Sequence, residues 1–507
     1  MAFFIFRDMD KKYILSFDQG TSSSRVVLFD RYQQQLGMEQ LEFSQYYPMD
    51  GWVEHNAEEI WTSQIKVAKQ LIGKLDINPL AIAAIGIANQ RETTVVWDRE
   101  TGRPIHNAIV WQDRRTAPLC DAIRNNPIAL HIKKVTGLVI DSYFSATKLN
   151  WILENIPGAR QMADNGRLAF GTIDTWLLWK LTGGKVHATD VSNASRTMLF
   201  NLYSMDWDRD ILNYFNIPES ILPQVKPSNS YFGETLPSLF NGYSIPITGM
   251  LGDQQAALFG QRCLEPGELK NTYGTGCFML MNIGENITHS NDGLLTTVAW
   301  QIDDKPVYAL EGSVFIAGAS VKWLRDGLGL IKTAEETEKL ARSVEDSMGL
   351  YLVPAFSGLG APYWDMYARG VLIGITQATT AAHITRATLE SIAYQTRDIV
   401  ELMSNASGIV IKKIKADGGA SANEFLMQFQ SDILDIPVYR PAITEATALG
   451  AAMMAGLGVG FYDKTDLKSD LPGRKVFMPK MQDDLRSKLY GNWKKAVQKS
   501  LGWAREN

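Results

Sequence analysis

Small hydroxyl side chains and a carboxylate lie between two apolar runs near the start of the sequence, in SFDQGTSSSRVVLFD (16–30). A tight turn with glycine exposes backbone N–H groups, and the hydroxyls of Thr21, Ser22 and Ser23 add donors, which suits an anion such as phosphate. Arg25 would add a cation, and Asp18 would repel a bare phosphate but suit one that carries Mg²⁺. The segment is typical of a site for a metal–nucleotide complex. A plain hairpin whose Ser and Thr side chains satisfy their own backbone has the same composition.

A second carboxylate, Asp253, lies in IPITGMLGDQQAALFG (245–260), where an apolar strand is predicted to pass into a helix. A carboxylate at such a junction can accept a proton from a hydroxyl or hold Mg²⁺. Asp is also a common helix N-cap, so capping is the alternative role. A similar junction occurs in IKADGGASANEFLMQFQSDIL (414–434). Its glycines would let a phosphate or an adenine-bearing ligand approach the backbone at a helix start, or they form only a tight turn.

Hydrogen-bond donors and an acceptor stand side by side in NQRET (89–93), where Arg91 precedes Glu92. A polyol needs both, because each hydroxyl gives and takes a hydrogen bond. A structural ion pair between the two side chains is the alternative. Trp111 and Phe278 could pack against the C–H edge of such a ligand, although most residues of these types belong to a hydrophobic core.

These junctions require regular elements, and short β-like runs alternate with amphipathic helical patterns along the chain, which predicts an α/β architecture. A helix is predicted to begin after Asn56, with Glu59 as the capping-box partner, and a buried strand is predicted over 82–88. A long helix is predicted over 381–405, with Gly408 as its stop. The uncharged stretch 448–461 is too short and too rich in glycine to span a bilayer and predicts a tightly packed, buried helix.

A length of 507 residues exceeds one hydrophobic core and predicts at least two domains. KNTYGTGCFMLMN (270–282) again places Gly and Thr between β-like runs, as in the first hairpin. This repetition favours a duplicated protein with a cleft between an N-terminal domain, 1–260, and a C-terminal domain, 261–507.

The composition excludes several other classes of protein. A net charge of −5 provides no basic footprint for nucleic acid. The three widely spaced cysteines suit a reducing, cytoplasmic compartment and neither a disulfide framework nor a zinc site. The apolar run Ala2–Phe6 is too short for a signal peptide, and no integral membrane segment is predicted.

Taken in order, the segments FDQGTSSSR, GWVEHN, NQRETTVVW, GDQQAALFGQ, NTYGTGCFMLMN and DGGASANEFLMQFQSDIL resemble the FGGY carbohydrate kinases, in particular those that act on glycerol. The resemblance extends from about Lys12 to Asp463. It implies two ribonuclease-H-like domains of the actin and hexokinase type around an interdomain cleft. It also implies ATP-dependent phosphorylation of glycerol to sn-glycerol 3-phosphate with Mg²⁺, by a cytoplasmic homodimer or homotetramer.

The resemblance further implies roles for individual residues. Asp253 would be the catalytic base. The residues that bind glycerol would be Arg91, Glu92, Tyr143, Asp253 and Gln254, with Trp111 and Phe278 as walls. The nucleotide phosphates would bind Thr21, Ser22, Ser23 and Arg25, and Asp18 would lie near the metal. The remaining nucleotide contacts would come from Thr275, Gly318, Gly419 and Asn423.

Two other functions stay open at the level of the sequence. The first is a kinase of the same family that acts on another polyol or on a pentulose. The second is an actin-like ATPase that uses its nucleotide to switch a binding surface. Lys322 stands where a close bacterial relative would carry Gln as a nucleotide contact, and a Lys at this position could reach a phosphate.

Overall fold

The computed structural model describes residues 11–290, 292–442, 445–467 and 473–505, and the apolar run Ala2–Phe6 lies outside them. The strands up to residue 260 are β1 Tyr13–Gln19, β2 Ser23–Asp30, β3 Gln35–Glu42, β4 Glu54–His55, β5 Ile82–Asn89, β6 Val95–Asp98, β7 Ala108–Ile109, β8 Leu168–Gly171, β9 Ala188–Asp190, β10 Phe200–Asn201, β11 Asp206–Trp207, β12 Gln224–Lys226, β13 Gly233–Glu234 and β14 Pro246–Gly252. The helices are α1 Ala57–Lys74, α2 Ala117–Arg124, α3 Ile128–Thr136, α4 Ser145–Asn155, α5 Ala159–Asp164, α6 Ile173–Leu181, α7 Val191–Ala194, α8 Arg209–Tyr214 and α9 Asp253–Gly260.

The rest of the chain continues the alternation of strands and helices. Its strands are β15 Glu268–Tyr273, β16 Cys277–Gly284, β17 Leu295–Ile302, β18 Lys305–Val314, β19 Tyr351–Val353, β20 Val371–Ile373, β21 Lys413–Asp417, β22 Val438–Arg440 and β23 Lys475–Phe477. Its helices are α10 Gly318–Asp326, α11 Glu336–Arg342, α12 Ala381–Ser407, α13 Glu424–Leu434, α14 Ala446–Gly458 and α15 Asp483–Ser500.

Two large mixed sheets share one topology. The first has the order β13-β14-β5-β1-β2-β3 and the second β17-β18-β16-β15-β21-β22-β23. In each, a central strand (β1 or β15) pairs antiparallel with the strand that follows it and parallel with a later strand (β5 or β21). The arrangements β3-β2-β1-β5-β14 and β18-β16-β15-β21-β22 therefore correspond strand for strand. The predicted fold class, two ribonuclease-H-like units, is confirmed, whereas the boundary at residue 260 stays a prediction.

The parallel strands of the first sheet end at the same edge. Gln19 of β1 is in register with Asn89 of β5, and Asn89 is in register with Gly252 of β14. The predicted strand over 82–88 is confirmed, and β5 is buried along its length. Because the carboxyl ends align, the segments that follow these strands must lie close together.

Helices α9 and α14 fill the space between the two sheets. Their apolar side chains form one core cluster with residues of both sheets, including Ala84 and Leu280. The contact between the helices is so close that a Cβ on Gly450 would lie 1.9 Å from the carbonyl oxygen of Ala256. The predicted buried helix in 448–461 is confirmed, and its glycines are needed for this close approach.

The predicted helix ends are largely confirmed. The side chain of Asn56 caps α1 by accepting from the N–H groups of Glu58 and Glu59, and α12 ends at Gly408 in the left-handed conformation. The capping box at α1 is wrong, because the Glu59 carboxylate accepts instead from the N–H and hydroxyl of Ser44 at 2.9 and 3.0 Å. The chain after β3 passes over the first turn of α1 and supplies these nearer donors. Within the described ranges, every helix is too short or too polar to cross a membrane.

Candidate active site

Arg91 and Asp253 meet at the edge where the parallel strands of the first sheet end. Arg91 follows β5, and Asp253 is the first residue of α9 after β14. The guanidinium Nε of Arg91 lies 3.2 Å from Oδ1 of Asp253. The N-cap position of α9 is Gly252, so the alternative role of Asp253 as the N-cap is wrong. The side chain of Asp253 is 29% exposed, whereas that of Arg91 is buried.

Glu92 is buried next to Arg91 and points toward a second guanidinium. Its backbone has φ +61°, an uncommon conformation for a residue with a side chain, at the turn that follows β5. Glu92 Oε1 accepts from Nε of Arg196 at 2.6 Å but lies 3.9 Å from Nε of Arg91. The predicted Arg91–Glu92 pair is thus part of a larger buried ion network rather than an isolated ion pair.

Aromatic side chains close one side of this cluster. The hydroxyl of Tyr143 accepts from Arg91 at 3.4 Å, and the Tyr143 ring meets the Trp111 ring edge to face at 5.6 Å. Trp111 Nε1 donates to Oγ1 of Thr21 at 3.0 Å. Arg91, Glu92, Tyr143 and Asp253 together form what we call the acceptor cluster. The partly exposed Trp111 therefore links the acceptor cluster to the first glycine-containing hairpin.

Buried Lys148 holds the loop that carries Tyr143. Its ammonium donates to the carbonyl oxygens of Ser142, Tyr143 and Phe144 at 2.6, 2.6 and 3.1 Å. Burial lowers the pKa of Lys148 to about 7. Because three successive carbonyls converge on one cation, this contact fixes the path of the backbone at Tyr143.

The second sheet contributes side chains that face the Arg91 cluster. Strand pairing puts Lys270 opposite Leu280, Thr272 opposite Phe278, and Leu280 opposite Glu311, so these residues share one face of the sheet. Phe278 is partly exposed on that face. The Lys270 ammonium, which is buried, donates to Oε1 of Gln254 and to Oγ1 of Thr272.

Burial and opposite charges compete in setting the pKa values of these carboxylates. Burial raises the pKa of Asp253, and the charge of Arg91 opposes this rise. Burial likewise raises the pKa of Glu92 against the effect of Arg91 and Arg196. For Glu311 the two arginines outweigh burial and hold the pKa at about 2. The cluster therefore contains one carboxylate that stays ionised and two that are more basic than usual.

The first hairpin turn presents two of the predicted hydroxyls. Thr21 and Ser22 lie in the turn with at least partial exposure, whereas Ser23 is buried and its hydroxyl accepts from Gln40 at 2.8 Å. Arg25 forms an ion pair with Glu445, which precedes α14, and lies 3.7 Å from Asp18. Burial, with a smaller contribution from the charges of Asp253 and Glu445, raises the pKa of Asp18 to about 7 against the opposing charge of Arg25.

The second hairpin turn lies against the start of α10. The carbonyl oxygen of Thr275 accepts from Ala317 and Ala319, and that of Gly274 accepts from Gly318 at 3.0 Å. A Cβ on Gly318 would lie 2.6 Å from the Gly274 carbonyl oxygen, so this approach needs glycine. Lys322, also on α10, is exposed.

The turn after β21 lies next to the second hairpin. A Cβ on Gly418 would lie 2.5 Å from the Tyr273 carbonyl oxygen, and Gly419 has open space around it. Asn423 caps α13 by accepting from Leu426, and its amide donates to Thr337 at 3.1 Å. The predicted nucleotide residues of the second half are thus grouped by two neighbouring strand ends, as Tyr273 and Asp417 end the adjacent strands β15 and β21.

Sequence reasoning missed Arg196, Glu311, Lys270 and Lys148. Glu311 is the one charged residue in the apolar and small-residue run VYALEGSV. A lone charge at a position predicted to be buried is a signal for a partner elsewhere in the chain. The identity of that partner is not contained in the local pattern.

The two matching sheets, with the charged cluster where they meet, form a two-lobed α/β fold. Two family models match the chain: the N-terminal domain of the FGGY family of carbohydrate kinases over residues 13–260, and its C-terminal domain over residues 269–459. The protein belongs to the FGGY family of carbohydrate kinases.

Within this family, the chain is similar to proteins that are named glycerol kinases. The chain is 59% identical to a glycerol kinase of Thermoanaerobacter sp. (strain X514) over 496 residues, which cover 98% of this chain and 100% of the relative. It is 58% identical to glycerol kinase 2 of Thermotoga maritima, which covers 97% of this chain and 99% of the relative. The crystal structure of Plasmodium falciparum glycerol kinase with ADP superposes with a TM-score of 0.92 at 39% identity, covering 96% of this chain and 98% of that chain.

Proposed function

We propose that the protein transfers the γ-phosphoryl group of ATP to glycerol and forms sn-glycerol 3-phosphate. The observation that carries the proposal is the meeting of Arg91, Glu92, Tyr143 and Asp253 in one cluster, in which Arg91 is paired with both carboxylates and donates to the Tyr143 hydroxyl. Full-length relatives at 58–59% identity that are named glycerol kinases support the same acceptor.

Asp253 is the catalytic base of the proposed reaction. Phosphoryl transfer passes through a loose transition state, so the attacking hydroxyl keeps its proton until late and needs orientation more than a strong base. Burial raises the pKa of Asp253, which improves it as a proton acceptor, and the charge of Arg91 opposes this rise. Its position at the start of a helix is set by the rigid strand before it.

The acceptor site binds the three hydroxyls and the short carbon chain of glycerol. Arg91 supplies donors, Glu92 supplies an acceptor, and the Tyr143 hydroxyl can do both. Trp111 and Tyr143 form an apolar wall, and Phe278 provides a second wall from the other sheet. Gln254 lies beside the base and is held by Lys270.

The nucleotide phosphates bind between the two hairpin turns. Thr21, Ser22 and Ser23 belong to the first turn, and Thr275 and Gly318 belong to the second with the start of α10. Arg25 becomes available to a phosphate when it leaves Glu445. Gly419 and Asn423 extend the site toward the base of the nucleotide.

The residues around Asp18 fit a Mg²⁺ ion. The carboxylate oxygens of Asp18 are ligands of the type that Mg²⁺ prefers. The raised pKa of Asp18 reflects a buried negative charge that a cation would stabilise. Asp18 would hold the metal, whose chemistry when bound is to neutralise charge on the phosphates. The residues of the protein, and not the metal, position the acceptor and exclude water.

The test is a coupled assay of ADP release with and without glycerol. Glycerol-dependent release that exceeds the rate in its absence supports the proposal. Equal rates would favour an ATPase switch, and faster release with a pentulose or a longer polyol would reassign the acceptor within the family. The predicted homodimer or homotetramer is checked by sedimentation, and cytoplasmic location stays a prediction.

A further inference from the structure

Glu311 reaches the acceptor cluster from the second sheet. It lies on β18 and is 4% exposed, and its side chain extends between two arginines that belong to the first half of the chain. Oε2 accepts from Arg91 at 2.6 Å, while Oε1 accepts from Arg91 at 3.3 Å and from Arg196 at 3.1 Å. One carboxylate thus fixes two guanidinium groups.

Arg196 extends this support to two other residues of the cluster. It is fully buried, and its Nε donates to Glu92 at 2.6 Å. Its guanidinium also lies over the rings of Tyr143 and Phe144, at 5.6 and 5.3 Å from their centroids. Arg91, Glu92 and Tyr143 are therefore all held, directly or through Arg196, by the carboxylate of Glu311.

We propose that Glu311 is a positioning residue for the acceptor site, which orients Arg91 and Arg196 from the opposite sheet. The inference rests on the proposed function, since it concerns the binding of glycerol by the same cluster. A second consequence is that the acceptor site is complete only when β18 of the second sheet packs next to the edge of the first sheet. The acceptor site is then coupled to the relative position of the two halves.

The charges explain why removal of Glu311 should weaken the binding of glycerol more than the binding of the nucleotide. Without this carboxylate, the nearest negative groups to Arg91 are Asp253 at 3.2 Å and Glu92 at 3.9 Å. Arg91 would turn toward them and compete with the acceptor hydroxyls for the same oxygens. The predicted phosphate-binding turns make no use of Glu311.

Glu311→Gln tests the proposal because it conserves shape but replaces an accepting oxygen with an N–H donor that faces the arginines. The KM for glycerol should rise by about tenfold or more, the scale of a lost charged hydrogen bond, while the KM for ATP stays within about twofold. Glu311→Asp retains the charge but is one methylene shorter, so the rise in glycerol KM should be smaller.

Glu268→Gln is the matched control. Glu268 is a buried carboxylate on β15 of the same sheet, paired with Lys413 at 2.5 Å. This variant should keep both KM values within about twofold of the wild type. The proposal is overturned if Glu311→Gln leaves the glycerol KM unchanged, if it shifts both KM values equally, or if Glu268→Gln produces the same rise.

Wild-type protein is assayed first for glycerol-dependent ADP release. If the wild type does not respond to glycerol, the proposed function fails. If it responds and Glu311→Gln has the wild-type glycerol KM, only the role of Glu311 fails. Thermal melting monitors folding, and if Glu311→Gln does not fold, Glu311→Asp decides, because a wild-type glycerol KM in that variant contradicts the proposal.

Discussion

The Nε of Arg91 lies 3.2 Å from Oδ1 of Asp253, which joins the residue group after β5 to the first residue of α9. The contact puts the proposed acceptor-binding cation directly beside the proposed base. The contact also affects the pKa of the proposed base, because burial raises the pKa of Asp253 and the charge of Arg91 opposes that rise. Several expected outcomes depend on this pair and on the residues that hold it.

Asp253→Asn should reduce kcat by roughly 10²–10⁴, the usual contribution of a positioned general base. The amide has nearly the same shape, so binding of glycerol should change less than turnover. Steady-state kinetics with the coupled ADP assay provide the measurement. Asp121→Asn removes an exposed carboxylate on α2 and should be neutral. Near-normal turnover of Asp253→Asn would show that another group accepts the proton.

The pH dependence of kcat/KM should show an acid limb above the ordinary carboxyl pKa of about 3.9. The base is active when ionised, and burial raises the pKa of Asp253, so activity falls as the pH drops through this raised value. Rates measured from pH 5 to 9 should lose this limb in Asp253→Asn. An unchanged limb in the variant would assign it to a different group.

Lys148→Met should raise the glycerol KM by about tenfold, because three charged hydrogen bonds to the Tyr143 loop are lost. The ATP KM should remain near the wild-type value, since the loop belongs to the acceptor side. Lys66→Met on the exposed face of α1 is the control. A rise in both KM values would indicate general loss of structure instead of a local shift of Tyr143.

His55 should make the protein less stable in mild acid. Burial lowers its pKa to about 4, whereas a free histidine has a pKa near 6.5. Between these values the unfolded chain binds more protons, so stability decreases as the pH falls, by roughly 3 kcal/mol at pH 4. Urea unfolding of wild type and His55→Gln from pH 8 to 4 measures the difference.

The neutral ring of His55 is also what its neighbours require. Its Nε2 donates to Gln45 at 2.7 Å, and its Nδ1 faces the amide of Gln90 at 3.5 Å. If His55→Gln retains the wild-type pH dependence, burial of this ring is not the cause.

Gly450→Ala should destabilise the protein by roughly 1–3 kcal/mol or more, because the new methyl group would overlap backbone atoms. Its Cβ would lie 1.9 Å from the Ala256 carbonyl oxygen between α14 and α9. Gly73→Ala in α1 meets open space and should instead stabilise by about 0.5–1 kcal/mol. Thermal melts compare the two, and equal melting temperatures would contradict the packing argument.

Local patterns in the sequence were sufficient for the elements and for the chemistry at their ends. The apolar run before NQRET is a buried strand, and the run before Asp253 passes into a helix, as the period and the turn residues predicted. Strand ends with Asp, Gly and Thr could be recognised because few residue types suit a tight turn beside an anion. The repeated hairpin also indicated the duplicated topology.

Tertiary structure alone decided which charged residues are partners. The periodicity of a segment predicts only which positions are buried, as for Glu311, Arg196 and Lys148. The sequence pattern does not show that β18 lies close to the end of β5. The capping partner of Asn56 was misassigned for the same reason, since Ser44 reaches Glu59 only in the folded chain. Burial makes these long-range pairings necessary, because an unpaired buried charge is costly, and packing of the two sheets determines which pairs form.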